Sequence, residues 1–129
     1  MAKYVDGFVL VVPDDKVDEY KEIAEYGRDM WMKFGALEYF ECRGDDLAPQ
    51  VMGDLRSRTF PDMAGASSNE TVWFSFIVFE SKEHRDEVNA KFNEAMMEEV
   101  AGQEDMDPAD MPFDMARMAY RGFKVEAEG

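Results

Sequence analysis

The sequence predicts an α+β fold with elements in the order strand, helix, strand, strand, helix, strand. Three observations predict it. Two long runs are rich in β-branched and aromatic residues, each is followed by apolar positions at helical spacing, and a shorter strand-like run comes later in each half.

Residues 4–12 (Tyr4-Val5-Asp6-Gly7-Phe8-Val9-Leu10-Val11-Val12) stop at Pro13 and are apolar at both parities. That pattern predicts a strand covered on both faces. Pro13-Asp14-Asp15 supplies a helix start, with Asp18 in the first turn where acid suits the free N–H groups. Val17, Tyr20, Ala24, Gly27, Trp31 and Phe34 then recur at spacings of 3, 4, 3, 4 and 3, with Ile23 and Met30 widening the stripe. Gly35 stands where a left-handed cap is expected.

Ala36 to Arg43 reads as the second strand. Residues 44–70 hold Gly44, Pro49, Gly53, Pro61 and Gly65, so they read as a long excursion with a short helix near Pro49–Leu55. Connections of this length often serve as binding loops or lids. Thr71 to Glu80 is the strongest strand signal. Ser81 caps the second helix, whose stripe is Val88, Phe92, Ala95, Met96 and Val100. Gly102 to Pro112 reads as a loop and Arg117 to Val125 as the last strand.

Right-handed crossovers make each strand-helix-strand unit parallel. Interleaving the two units predicts a four-stranded antiparallel sheet in the order 4-1-3-2 with both helices on one face, the ferredoxin-like arrangement. Helices then cover one face of strands that are apolar on two. A second copy is the expected cover, giving a homodimer whose sheets close into a barrel with an interior cavity. The 129 residues suit a single domain spanning 1–129.

Fourteen basic against 29 acidic side chains give a net charge of −15, which argues against nucleic acid and anionic membrane as partners. Hydrophobic content of 46% excludes a disordered acidic tail. Two isoleucines and seven each of Lys and Arg are compatible with a salt-adapted organism. The lone Cys42 excludes an internal disulfide, and the first residues lack a secretory signal, so a cytoplasmic location is expected. The eight acids between Phe92 and Ala116, with no base among them, read as a solvated surface. Eleven methionines suggest an adaptable core.

Several motifs resemble the YbaA-like family of uncharacterised small proteins. They are Tyr4-Val5-Asp6-Gly7-Phe8-Val9, Phe34-Gly35-Ala36-Leu37, Glu41-Cys42, Ser81-Lys82-Glu83 with Arg85-Asp86 and Asn89, and Met111-Pro112-Phe113-Asp114 with Arg117-Met118, Tyr120 and Gly122-Phe123. The resemblance covers nearly the whole chain except 44–70. It implies a dimeric α+β barrel of the ferredoxin-like class and implies no activity. Met115-Ala116 stand where the family usually has Gly-Lys, which removes a base beside Asp114.

Asp6 lies in an apolar strand on the face of Tyr4, Phe8 and Leu10, where a carboxylate must be paired, protonated or solvated by a cavity. The strand order places it near Arg121 to Lys124. A structural ion pair and a cavity acid or base both fit. Glu41 and Arg43 share one face of the second strand, while Cys42, expected as a small core residue, shares the other with Phe40. Cys42 and His84, in the first turn of the second helix, have no spacing that joins them into a dyad.

Asp114 is expected to cap or to pair with Arg117. Alternatively, Arg117 and Tyr120 stand at the barrel mouth, where a guanidinium and a phenol suit an anionic or carbonyl-bearing ligand. The catalytic candidates are therefore Asp6, Arg117 and Tyr120, and the ligand-binding candidates are Arg43, Trp73, Asp114 and Arg121. No phosphate-binding loop, nucleophile elbow, dinucleotide fingerprint or zinc spacing appears, so neither cofactor nor metal is expected. The expected function is binding of a small molecule in a cavity at the sheet face. The alternative is a cofactor-independent enzyme, monooxygenase- or isomerase-like.

Overall fold

The computed structural model describes residues 2–100 and 111–129. Strand β1 (Tyr4–Pro13) leads through a 3-10 turn (Asp14–Lys16) into helix α1 (Val17–Lys33), followed by β2 (Glu38–Arg43). Next come β3 (Val51–Met52), β4 (Leu55–Arg56) and helix α2 (Phe60–Ala64), then β5 (Glu70–Phe79) and helix α3 (Lys82–Val100). A 3-10 turn (Met115–Arg117) precedes β6 (Ala119–Lys124). The chain is a mixed α+β fold. Among the described residues it has six strands and three helices, and every strand pair is antiparallel. Four strands form one sheet in the order β2-β5-β1-β6, and β3 and β4 form a separate ribbon.

The excursion departs most from expectation. Residues 49–55 do not form a helix, because Gly53, at φ 62°, turns the chain back on itself after β3. The helix comes later, where Thr59 accepts a hydrogen bond from the Asp62 N–H, Pro61 sits in the first turn and Gly65, at φ 69°, closes the end. Other boundaries shift for local reasons. Asp14 and Asp15 occupy the 3-10 turn instead of the first turn of α1. Gly35, at φ 116°, and the bond from Ala36 N to Trp31 O close the end of α1, so β2 begins at Glu38. Asp114 accepts from Ala116 N and holds the 3-10 turn, which delays the last strand to Ala119. The expected loop Gly102–Pro112, as far as Asp110, lies outside the described residues, with the acidic run Gln103–Asp110.

Side chains alternate between the two faces of the sheet. Tyr4, Asp6, Phe8, Leu10 and Val12 of β1 stand opposite Phe79, Ile77, Ser75, Trp73 and Thr71 of β5. On this face Leu10, Val12 and Trp73 pack with Val17, Tyr20 and Ala24 of α1, while Ile77 and Phe79 pack with Ala36 and Val88 of α3. Trp31 stacks on Phe92 with centroids 3.9 Å apart, tying α1 to α3.

The far face is different. Val11 and Val72 are buried at one end, where α2 packs against β1 and β5. Beyond them Phe40, Phe74 and Phe123 stay 46%, 45% and 63% exposed. Cys42 points the same way and is exposed, which corrects its expected place in the core; among the described residues nothing covers that part of the sheet.

Candidate functional site

The polar residues facing the helices are the ones a small apolar core must satisfy. Glu41 of β2 is one of them. It sits opposite Ser75 in the sheet register, and Tyr20 reaches it from the first turns of α1. The Tyr20 hydroxyl donates to Glu41 Oε2 at 2.9 Å, the Tyr39 hydroxyl donates to Oε1 at 2.7 Å, and the Ser75 hydroxyl donates to Oε2 as well. Three hydroxyl donors thus converge on one half-buried carboxylate. Gly27 makes room for this cage, since a Cβ there would stand 3.0 Å from the Tyr39 hydroxyl.

Burial, and then the Glu41 charge, pushes both the Tyr20 and Tyr39 phenols far above the ordinary value of 10.0. The folded chain therefore keeps protons that the unfolded chain releases near pH 10, and the stability these phenols contribute is present below that pH and lost above it. We expect urea midpoints to fall steeply between about pH 9 and about pH 11 and to fall less steeply in Tyr39→Phe. Equal slopes for the two proteins would refute the assignment.

On the solvent side of Glu41 lies a cavity of about 420 Å³ whose walls include Lys21, Arg28, Tyr39, Arg43 and Trp73. Trp73 is only 4% exposed, and its indole Nε1–H is buried with no acceptor among the described residues. Arg43 stands directly opposite Trp73 in the β2–β5 register. On the other side, Glu41 and Ser75 also line an apolar cavity of about 270 Å³ between the sheet and α1. The cage is the partition between a polar pocket and an apolar one.

The residues singled out from the sequence fall in four places. Asp6 is 3% exposed and lies opposite Gly122, within the expected stretch of the last strand. Its charge partner, however, is Arg85 of α3, whose Nη1 donates at 3.3 Å. Burial pushes the Asp6 carboxyl up and Arg85 opposes the shift. Arg117 binds Glu70 at 2.7 and 3.0 Å and the Gly65 carbonyl at 2.7 Å, so it clamps the end of the 44–70 excursion to the turn before β6. Its partner is Glu70, and Asp114 instead caps the turn. Tyr120 stacks on Phe8 at 5.1 Å on the helix side of the edge strand, and Arg121 points to the far face.

Asp6, Arg117 and Tyr120 are thus tied to separate partners and do not converge. Arg43 and Trp73 line one cavity with Glu41. Tyr20, Tyr39 and Ser75 were not singled out from the sequence, although an acid at an inward-facing strand position was the available signal. Among the described residues no group of three His, Cys, Asp or Glu side chains is placed to hold a metal ion. No described helix is long and apolar enough to cross a membrane.

The Arg117 clamp has an acid signature. Hydrogen bonds from Arg117 and from the Ser67 backbone hold the Glu70 carboxyl down at about 2. A depressed carboxyl contributes stability above its ordinary value of 4.5 and loses it as pH falls toward 2. Arg117→Gln should therefore lower the urea midpoint at pH 6 to 7, and the gap from the parent should narrow as pH falls through that window. A gap that does not change with pH would count against the clamp.

A family described as "Protein of unknown function (DUF1428)" matches residues 3–115. The chain belongs to this family. Among curated DUF1428-type relatives, the uncharacterised protein YbaA of Escherichia coli strain K12 is 41% identical over 123 residues, covering 95% of each chain. YbaA of Shigella flexneri is similar to the same extent. The description of the family and the names of these relatives assign no activity.

Proposed function

We propose that the chain is a single ferredoxin-like domain that forms a cytoplasmic homodimer and binds a small molecule in the pocket beside Glu41. The observation that carries the ligand reading is the cavity walled by Lys21, Arg28, Tyr39, Arg43 and Trp73 next to a carboxylate held by three hydroxyls. The volume of about 420 Å³ lies in the range of small-molecule sites, about 300–1,000 Å³. Support for the dimer comes from the far face, where Phe40, Phe74 and Phe76 form contiguous aromatics in a chain whose other face is covered. The site thus moves from the sheet face that sequence reasoning favoured to the helix side of the edge strand.

An enzymatic reading without cofactor gains support from the same cage, with Glu41 and the Tyr39 hydroxyl in place of Asp6, Arg117 and Tyr120. Native mass spectrometry tests the main reading. The expected species is a dimer, at twice 14.8 kDa, carrying a small-molecule mass increment that disappears in Arg43→Ala. A monomer at micromolar concentration refutes the dimer, and a dimer with no increment from any expression host refutes the resident ligand.

A further inference from the structure

We infer that the ribbon β3–β4 is an exchanged arm: in the homodimer it crosses to a second copy of the chain and packs on that copy's far sheet face. The inference rests on the reading of the chain as a homodimer and names the element that completes the interface.

The arm is ordered yet bare. Ser57 N–H donates to the Gln50 carbonyl and Gln50 N–H to the Ser57 hydroxyl, each at 2.8 Å. The pairing of Val51 with Arg56 and of Met52 with Leu55 thus continues one step beyond the strands. Residues opposite each other in an antiparallel pair share a face, which sets Met52 and Leu55 side by side. Both are 74% exposed and Val51 is 65% exposed, so nothing among the described residues covers them. A two-stranded ribbon standing alone is marginally stable in water, and apolar side chains exposed together mark a contact surface.

Placement and area select the partner. Leu47 and Phe60 flank the ribbon in sequence, and both line one apolar hollow of about 290 Å³ with Cys42, Val72 and Phe74 of the far face. The ribbon therefore springs from the side of the sheet that a second copy covers. Phe40, Phe74 and Phe123 on that face are about half exposed, and at about 150–250 Å² for a whole aromatic side chain they offer roughly 300 Å². A stable interface takes about 800 Å² from each partner, so these phenylalanines alone fall well short. An arm from each copy, laid on the other's face, adds apolar area twice, and a two-fold axis makes both exchanges at once. Charge agrees with this partner. Arg56 and Arg58 against Asp54 make residues 47–61 net positive, whereas the whole chain carries −15. A second copy is the strongly acidic surface that such an arm suits.

Sedimentation equilibrium on the full chain reads the exchange. Met52→Ser/Leu55→Ser should weaken dimerisation at least about tenfold and leave the circular dichroism spectrum unchanged, since both side chains lie outside the core. Phe40→Ser/Phe74→Ser should weaken it as well. Met97→Ser should not, because Met97 is equally exposed but sits on α3, at the other face of the sheet. Replacing Leu55 by the photo-crosslinking amino acid p-benzoylphenylalanine reads the contact itself. In a mixture of ¹⁴N- and ¹⁵N-labelled copies, mass spectrometry should find position 55 of one copy joined to β2, β5 or β6 of the other. A parent chain that stays monomeric refutes the homodimer and the arm with it. A dimer that Met52→Ser/Leu55→Ser does not weaken refutes the arm and leaves the homodimer standing. Crosslinks confined to one copy, or joining only arm to arm, overturn the contact with the far face.

Discussion

Arg85→Ala should destabilise the fold by about 3–5 kcal/mol at neutral pH, the usual cost of removing one member of a buried ion pair. The Asp6 side chain is 4% exposed and that of Arg85 15%. Arg85 Nη1 meets Asp6 at 3.3 Å, Nη2 meets the Tyr4 hydroxyl at 3.4 Å, and the guanidinium lies 4.9 Å from the centre of the Tyr4 ring. Truncation leaves Asp6 without its charge partner in a buried position, and burial already raises its carboxyl. A raised carboxyl contributes stability that is fully present below its ordinary value of 3.8 and lost as pH rises through the folded value. Without Arg85 the folded value rises further. The penalty of Arg85→Ala should therefore be largest at neutral pH and shrink on acidification toward pH 4. Urea unfolding at both values reads this directly. A loss under about 1 kcal/mol at neutral pH, or one equal at both, would refute the pair as a buried charge contact. The apolar double variant Asp6→Leu/Arg85→Met should recover most of the loss, because it removes both desolvated charges together.

Phe79→Ala should cost about 3–5 kcal/mol, through lost burial and the cavity left behind. Phe79 is 0% exposed, the largest fully buried side chain among the described residues, and packs with Ala36, Ile77 and Val88 where β5 meets α3. His84 closes its edge at 5.9 Å between ring centres. Its neighbours belong to three different elements, so the site can collapse only by moving a strand or a helix. The expected fall in Tm is roughly 10–20 °C. Phe79→Leu, which refills much of the volume, should lose markedly less. Similar losses for the two variants would show that volume is not what Phe79 contributes.

Much of the architecture was readable because its periods are long. The apolar runs of β1 and β5 extend over ten residues each, and the α1 stripe runs unbroken from Val17 to Phe34. The ribbon inside 44–70 was not readable, since two strands of two residues carry no period, and Gly53 suits a loop as well as a hairpin. Cys42 was misplaced for a different reason. An apolar strand face does not reveal whether the cover comes from the same chain or from another.

The Glu41 cage was hidden for a third reason. Tyr20 lies 21 residues and Ser75 34 residues from Glu41 in the chain, and only helix packing and strand register bring them together. Asp6 shows both sides of this. Its burial was evident from its neighbours, whereas its partner Arg85, 79 residues away, depended on where α3 crosses the sheet.

The sequence by itself determined the α+β class, the main strands and helices and the inward-facing acids, because these follow from local periodicity and from the energetic penalty on buried charge. Tertiary structure alone decided which donors satisfy those acids, and that three of the chain's few bases gather beside Glu41. Hydrogen bonds and charge contacts act over a few ångströms of space and carry no signature in sequence separation.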